Sequence, residues 1–140
     1  MSKVDLSIII VNYKCWDSLT RCIESFDKYK PHTKYEIIVV DNDSQDGKFN
    51  SFQQQFNEIK LIANKGNYGF SSGCNLGAEN AKGQFLLFLN PDVTLTSSPS
   101  IDHMYSFALA NPDVGITSCR TLYSNGKRER EIAFLSPWLT

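Results

Sequence analysis

The chain lacks the features that mark membrane-spanning, disulfide-stabilised and nucleic-acid-binding proteins. Its 140 residues carry 14 Lys and Arg against 15 Asp and Glu, so no broad cationic surface for nucleic acid is expected. The apolar run at residues 6–11 is too short for a membrane span or a signal-peptide core. The 4 cysteines show no Cys-x-x-Cys spacing, so neither a zinc site nor a disulfide framework is expected. These absences favour a cytoplasmic globular domain.

Common phosphate-binding motifs are also missing. No Gly-x-Gly-x-x-Gly follows the first apolar segment, and no glycine-rich loop ends in Gly-Lys-Ser or Gly-Lys-Thr. A nucleotidyltransferase is expected to carry a glycine-rich, basic loop directly after its first strand, but residues 12–16 contain no glycine. The sequence therefore disfavours a dinucleotide-binding Rossmann domain, a P-loop protein and a nucleotidyltransferase.

Four strand-like apolar segments each end abruptly at an acidic or amide residue. They are residues 6–11 before Asn12, 35–40 before Asp41, 59–63 before Asn64 and 85–89 before Asn90. In an open α/β sheet, ligands bind outside the carboxyl ends of the strands. If the four strands are parallel, these polar residues share one edge of the sheet, and that edge is the predicted site.

The segments between the strands have helical spacing or helix-start signals. Helices are predicted at residues 16–28, 48–56, about 71–81 and 99–110, and a fifth strand at 114–119. Asp43 or Ser44 is predicted to cap the second helix, and Ser71 or Ser72 the third. The alternation predicts an α/β fold with a mainly parallel sheet. With no repeat or linker in the chain, residues 1–140 are expected to form one domain.

Three residues at the predicted edge have side chains suited to binding a nucleotide. Asp41 is placed to accept a hydrogen bond from a ring N–H of a pyrimidine. Asp92, in Asn90-Pro91-Asp92, is placed to hold Mg²⁺ or Mn²⁺ together with substrate phosphates, although Asn-Pro-Asp is more often a simple turn. Tyr13 is able to stack on a base, and the alternative is ordinary packing.

A glycine-rich loop and helix start follow the third strand. Gly66, Gly69, Gly73 and Gly77 lie there, with Asn75 among them. Glycine at such spacing serves either close backbone packing or the approach of a ligand, and both explanations stay open.

Together these motifs resemble glycosyltransferase family 2. The matching stretches are Ile9-Ile10-Val11-Asn12-Tyr13, Glu36 to Gly47, Asn64-x-x-Asn67-x-Gly69-Phe70-x-x-Gly73-x-Asn75-x-Gly77 and Leu87-x-Leu89-Asn90-Pro91-Asp92. The last two are similar to the rhamnosyltransferase-like branch. The likeness covers about residues 4–125.

The resemblance implies a three-layer GT-A fold, a Rossmann-like nucleotide-sugar-binding domain, and an inverting, metal-assisted sugar transfer. By it, Tyr13 and Asp41 contact the base and Asp92 holds Mg²⁺ or Mn²⁺ on the diphosphate. Asn90 replaces the first acid of the family's Asp-x-Asp motif. The full set of implied nucleotide-sugar-binding residues is Tyr13, Asp41, Asn42, Asn67, Gly69, Phe70, Asn75 and Asn90.

The resemblance also implies a dTDP- or UDP-sugar donor, with rhamnose favoured, and a glycan or lipid-linked acceptor in cell-surface polysaccharide synthesis. Family members continue into an acceptor-binding segment that supplies the general base, so residues 1–140 are expected to be the donor-binding part, and the catalytic base is unknown. The alternative is a non-catalytic nucleotide-sugar-binding module. Cytoplasmic location, at the inner face of the membrane, is expected.

Self-association is also expected, because apolar residues crowd the end of the sequence. They are Phe134, Leu135, Trp138 and Leu139.

Overall fold

The computed structural model describes residues 4–97, 99–119, 121–123 and 125–127. Strands and helices alternate along the chain. They are β1 Leu6–Asn12, α1 Trp16–Lys28, β2 Tyr35–Asp41, α2 Phe49–Gln55, β3 Lys60–Ala63, α3 Phe70–Glu79, β4 Phe85–Leu89 and α4 Pro99–Ala110. The predicted α/β fold class is confirmed.

The four strands form one parallel sheet in the order β3-β2-β1-β4. From β1 the chain moves outward through β2 to β3, and then returns to place β4 on the other side of β1. In open α/β sheets the crevice at such a reversal of strand order is where ligands bind. The topology therefore points to the carboxyl ends of β1 and β4, and to the adjoining end of β2.

Both faces of β1 and β2 are covered, which explains their unbroken apolar sequence. Ile8 and Ile10 of β1 belong to a core shared with α1, α2 and α4. That core takes Trp16, Leu19, Cys22, Ile23 and Phe26 from α1, Phe52 from α2 and Ile101 from α4. Because successive residues of a strand point to opposite faces, Ile9 and Val11 face α3 instead.

Helix α3 lies close to the sheet because two of its residues are glycine. A Cβ on Gly77 would stand 2.4 Å from a side-chain carbon of Ile9, and one on Gly73 would stand 2.7 Å from Val11. Of the two explanations left open for these glycines, close backbone packing is the one that the structure bears out at both positions.

The predicted fifth strand at residues 114–119 is wrong. The described residues there have no strand geometry, and Ile116 is 91% exposed. A strand needs a partner for its backbone, and none of the described residues pairs with this segment.

The predicted helix caps are also wrong. Helix α2 starts after Lys48 and α3 after Gly69, which has a φ of 86°. Ser71 and Ser72 thus lie inside α3, while Asp43 and Ser44 lie well before α2. The Ser44 hydroxyl instead hydrogen-bonds the Asp41 carboxylate and the Lys14 backbone N–H.

No helix in the described ranges is long and apolar enough to cross a bilayer. The apolar residues on which self-association was predicted, Phe134 to Leu139, lie outside the described residues.

Candidate functional site

The carboxyl edge of the sheet brings together residues that are far apart in sequence. Asn12 at the end of β1 is the register partner of Asp41 at the end of β2, and Asp41 is in turn the partner of Ala63. Strand β4 ends with Leu89 level with Ile10, so residues 90–92 follow at the same edge. The predicted shared edge is confirmed as geometry.

The Asp41 carboxylate lies at the centre of this edge and is 5% exposed. Its Oδ1 accepts a hydrogen bond from Asn12 Nδ2 at 2.7 Å and one from the Ser44 hydroxyl. Its Oδ2 accepts the Ser44 backbone N–H at 3.1 Å. The carboxylate therefore already has protein partners on both oxygens, and the predicted contact with a base must use the remaining acceptor position on Oδ2.

Asn42 links the same edge to α3 and to the end of β3. Its Nδ2 donates to the carbonyl oxygen of Gly69 at 3.0 Å, and its Oδ1 accepts from Asn64 Nδ2 at 3.1 Å. Asn42 is 2% exposed. We call Asn12, Asp41, Asn42, Ser44 and Asn64 the carboxyl-edge cluster. Its hydrogen bonds are satisfied internally, as buried polar groups require.

The loops beside this cluster contain strained backbone. Among the described residues, the non-glycine residues with positive φ are Lys14 at 56°, Asp43 at 61° and Gln45 at 50°. All three lie in the connections that follow β1 and β2. The left-handed conformation costs an L-residue about 1 kcal/mol. Asp adopts it more readily than Lys or Gln does. Such strain persists where surrounding contacts impose it, and it concentrates at functional sites.

Exposed aromatic rings stand around the buried cluster. Tyr13 is 44% exposed, Phe70 52% and Tyr68 66%. The Lys14 ammonium lies 5.2 Å from the centroid of the Tyr13 ring. Exposed rings can stack on a nucleotide base, and base stacking on an aromatic side chain contributes about 1–3 kcal/mol per base.

The remaining predicted residues of the glycine-rich loop are also placed near this edge. Asn67 is exposed, and its Oδ1 accepts the Gly69 backbone N–H at 3.2 Å. Asn75 is exposed on α3. Gly69 itself is exposed in the loop, where the Asn42 amide anchors its carbonyl.

Asn90 and Asp92 are both exposed, in the turn that follows β4. The Asn90 carbonyl accepts the Val93 N–H at 3.2 Å, which closes the turn. Burial raises the pKa of the Cys22 thiol to about 12, and the negative charge of Asp92 adds to the shift. The Asp92 carboxylate therefore lies within electrostatic reach of the buried Cys22 thiol on α1.

The oxygen donors of this turn suit a hard divalent cation. Asp92 offers a carboxylate and Asn90 an amide oxygen, which are ligand types that Mg²⁺ and Mn²⁺ accept. The described residues contain no group of three or more His, Cys, Asp and Glu side chains that could hold a metal. The donor set thus fits an ion that takes one protein carboxylate and completes its coordination with substrate phosphates and water.

A separate groove of about 610 Å³ lies at the opposite, amino end of the sheet. Its lining includes side chains of both signs, such as Asp27, Lys30 and Glu58. None of the sequence-predicted site residues borders it. The carboxyl edge, although it is an open surface, carries the strained loops and exposed rings and is the better candidate site.

The predicted binding set does not include Ser44, Asn12, Asn64 or Tyr68. The role predicted for Ser44 is that of a helix cap, because serine in an Asp-rich turn usually has that role. The signal that could have found it is its spacing, three residues after a strand-terminal Asp, which allows the hydroxyl to fold back on that carboxylate.

This chain belongs to glycosyl transferase family 2, whose family pattern matches residues 7–138.

Among its curated relatives, "Glycosyltransferase AglE" from Haloferax volcanii is 30% identical over 91 residues, covering 62% of this chain and 30% of the relative. A second is "UDP-Glc:alpha-D-GlcNAc-diphosphoundecaprenol beta-1,3-glucosyltransferase WfgD" from Escherichia coli. It is 30% identical over 88 residues, which cover 62% of this chain and 34% of that protein. The chain thus spans about a third of the length of these relatives.

Solved structures share the fold. TarS residues 1–349 from S. aureus, in complex with UDP-GlcNAc, superpose with a TM-score of 0.67 at 22% identity, over 77% of this chain and 32% of that TarS fragment. The mannosyltransferase PcManGT from Pyrobaculum calidifontis, in complex with GDP-Man and Mn²⁺, gives 0.66 at 15% identity, over 77% and 33%. At these identities the likeness establishes the fold, which is the predicted GT-A fold.

Proposed function

We propose that this chain is the donor-binding part of an inverting glycosyltransferase that uses a UDP- or dTDP-sugar. The observation that carries the proposal is the carboxyl edge itself, where a buried acidic and amide cluster, exposed rings and the exposed carboxylate of Asp92 meet at the reversal of strand order. Family membership and the sugar-nucleotide complexes of two proteins with this fold support it. The finer assignment to a rhamnose donor rests on the motif resemblance.

In the proposed complex, the base lies against Tyr13 and reaches Asp41 and Asn42 through its ring polar groups. The segment Asn67 to Asn75, with Gly69 and Phe70, forms the wall of the nucleoside pocket. Asn90 and Asp92 face the diphosphate. Mg²⁺ or Mn²⁺ bound at Asp92 would neutralise charge on the departing nucleoside diphosphate.

The transfer itself joins an acceptor hydroxyl oxygen to the anomeric carbon while the bond to the diphosphate breaks. The hydroxyl proton must pass to a general base. We assign no such base to this chain, and propose that the activity of the whole protein needs residues outside 1–140. The acceptor we propose is a glycan or lipid-linked precursor of a cell-surface polysaccharide, met at the cytoplasmic face of the membrane.

Calorimetric titration of UDP, dTDP and GDP with and without Mn²⁺ tests the donor site. We expect pyrimidine nucleotides to bind at least about tenfold more tightly than GDP, and Mn²⁺ to strengthen binding about tenfold, which corresponds to about 1.4 kcal/mol. Asp92→Asn should abolish the Mn²⁺ effect but keep metal-free binding.

The chain contains its own control for this experiment. Asn111-Pro112-Asp113 repeats the tripeptide of residues 90–92, but it follows a helix and not a strand. Asp113→Asn should leave the Mn²⁺ effect unchanged. If none of the nucleotides binds the parent chain with or without Mn²⁺, the donor-site proposal fails.

A further inference from the structure

We infer that Ser44 is a positioning residue that holds residues 13–15 in the backbone conformation required for base binding. The inference deepens the proposed function and rests on it. It assigns Ser44 an indirect role: Ser44 contacts Asp41 and the backbone of Lys14, while Tyr13 contacts the base.

The contacts of Ser44 bridge two loops. Its Oγ donates to Asp41 Oδ1 and accepts the Lys14 backbone N–H at 2.9 Å. Ser44 is 1% exposed, so these bonds are shielded from water. The neighbouring Cys15 N–H donates to Asn12 Oδ1 at 3.2 Å, and Asn12 Nδ2 donates to Asp41 at 2.7 Å. The buried Asp41 carboxylate therefore positions both side chains, Ser44 and Asn12, that accept backbone N–H groups of the segment after β1.

The anchored segment is strained, and it carries the ring proposed to meet the base. Lys14 has a φ of 56°, a conformation that lysine adopts rarely. Without the bond to Ser44, the free chain would relax toward negative φ and move Tyr13, which directly precedes Lys14. A loop already held in its bound conformation loses less entropy on binding. The affinity for the nucleoside should therefore depend on the Ser44 hydroxyl.

A second buried serine provides a matched control. Ser7 on β1 is 0% exposed, and its Oγ accepts the backbone N–H groups of Gly83 at 2.8 Å and Lys82 at 3.2 Å. It also donates to Glu36 Oε1 at 2.6 Å. Ser7 has the same chemistry as Ser44, but it stands at the amino end of the sheet. Ser7→Ala should lower the unfolding temperature and leave affinity unchanged.

The experiment is titration of uridine and UDP without metal into the parent chain, Ser44→Ala, Ser7→Ala, Lys14→Gly and the double variant Ser44→Ala/Lys14→Gly. We expect Ser44→Ala to weaken the binding of uridine and of UDP by a similar factor of about ten, since the base is common to both ligands. Lys14→Gly alone should bind within about threefold of the parent chain. The double variant should bind within about threefold of Lys14→Gly, because glycine adopts positive φ without the steric cost that lysine has there.

Hydrogen exchange reports on the same contact without a ligand. In the parent chain the Lys14 amide should exchange slowly, and in Ser44→Ala at least about tenfold faster, while the amides of Ile9 and Ile10 stay protected. If Ser44→Ala unfolds the chain, Ser44→Cys keeps a similar volume with a weaker hydrogen-bonding group and should show the same changes in smaller degree.

The outcomes separate the two proposals. A parent chain that binds neither uridine nor UDP overturns the proposed function and this inference with it. Equal affinities for the parent chain and Ser44→Ala overturn the inference alone. If Ser44→Ala loses affinity and the double variant Ser44→Ala/Lys14→Gly does not regain it, the inference is also overturned. The hydroxyl would then act by a route other than the Lys14 backbone.

Discussion

Each end of the sheet has a polar cluster that pairs a serine with a carboxylate, but the two clusters differ in the backbone that they hold. At the amino end, Ser7 and Glu36 bind the backbone N–H groups of Lys82 and Gly83, which we call the amino-edge cluster. At the carboxyl end, Ser44 and Asp41 have the corresponding serine–carboxylate pairing. Each cluster joins a loop to the ends of β1 and β2.

The difference lies in what each cluster holds. The amino-edge cluster fixes the loop between α3 and β4, where the described residues have no left-handed non-glycine backbone. The carboxyl-edge cluster adjoins Lys14, Asp43 and Gln45, which all have positive φ. A cluster that only stabilises the fold has no need to impose strain on its neighbours. The strained end is therefore the one whose geometry we connect with binding.

The largest effect on stability is expected at the amino end, from Gly83→Val. A Cβ at this position would stand 2.4 Å from the Ser7 backbone nitrogen and 2.7 Å from the Leu6 carbonyl carbon, and neither backbone atom can move aside cheaply. We expect a loss of about 3 kcal/mol in the free energy of unfolding, measured by urea denaturation. The affinity of the folded fraction for UDP should be unchanged, and a parallel loss of affinity would show that the two ends are coupled.

The next largest effect on stability is expected from removing either of two carboxylates at opposite ends of β2, Asp41 and Glu36. Asp41→Ala removes the acceptor for Asn12 Nδ2 and the Ser44 N–H and should cost about 2 kcal/mol in stability, together with affinity for both UDP and the intact donor. Glu36→Ala removes a half-buried carboxylate at the other end and should cost about 1 kcal/mol with affinity intact. Denaturation and UDP titration of both variants test this. If Asp41→Ala binds UDP as tightly as the parent chain, the role of the carboxyl-edge cluster in binding is refuted.

The smallest effect concerns Asp102 of α4, which accepts hydrogen bonds from His32 N–H, Thr33 N–H and the Thr33 hydroxyl. Partial burial opposes ionisation of this carboxyl, but the bonds from Thr33 and His32 prevail and hold its pKa below the usual value of 3.8. Its stabilisation is therefore present above the unfolded pKa and is lost as pH falls through the folded one. Asp102→Asn should lower stability by less than about 1 kcal/mol at pH 7, and by progressively less as the pH falls below the usual carboxyl pKa of 3.8. Urea denaturation at several pH values measures this, and a loss that grows on acidification would contradict the assignment.

Much of the fold could be predicted from local pattern. The apolar runs predicted all four described strands, and the spacing of apolar residues in α1 matched its buried face. The failures share one cause. Whether a helix cap or a fifth strand forms depends on the hydrogen-bond partner available to each backbone group. The pattern of residues 114–119 predicts a strand, although none of the described residues pairs with them.

The carboxyl-edge site was predictable in outline and not in detail. Strand-terminal Asn12, Asp41, Asn64 and Asn90 could be grouped, because parallel strands place their ends at one edge. That Asp41 is buried with both oxygens occupied, while Tyr13 stays exposed, depends on the register of β1 with β2 and on the path of two loops.

By itself the sequence determined the order of strands and helices, the polar ends of the strands and the resemblance to glycosyltransferase family 2, since each of these is encoded in short stretches of chain. Only the tertiary structure decided that Ser44 turns inward to Asp41 and Lys14, and that Gly83 lies against the Ser7 backbone. The contact of Ser44 with Lys14 joins residues 30 positions apart and that of Gly83 with Ser7 joins residues 76 apart, and the geometry of both follows from the packing of the whole sheet.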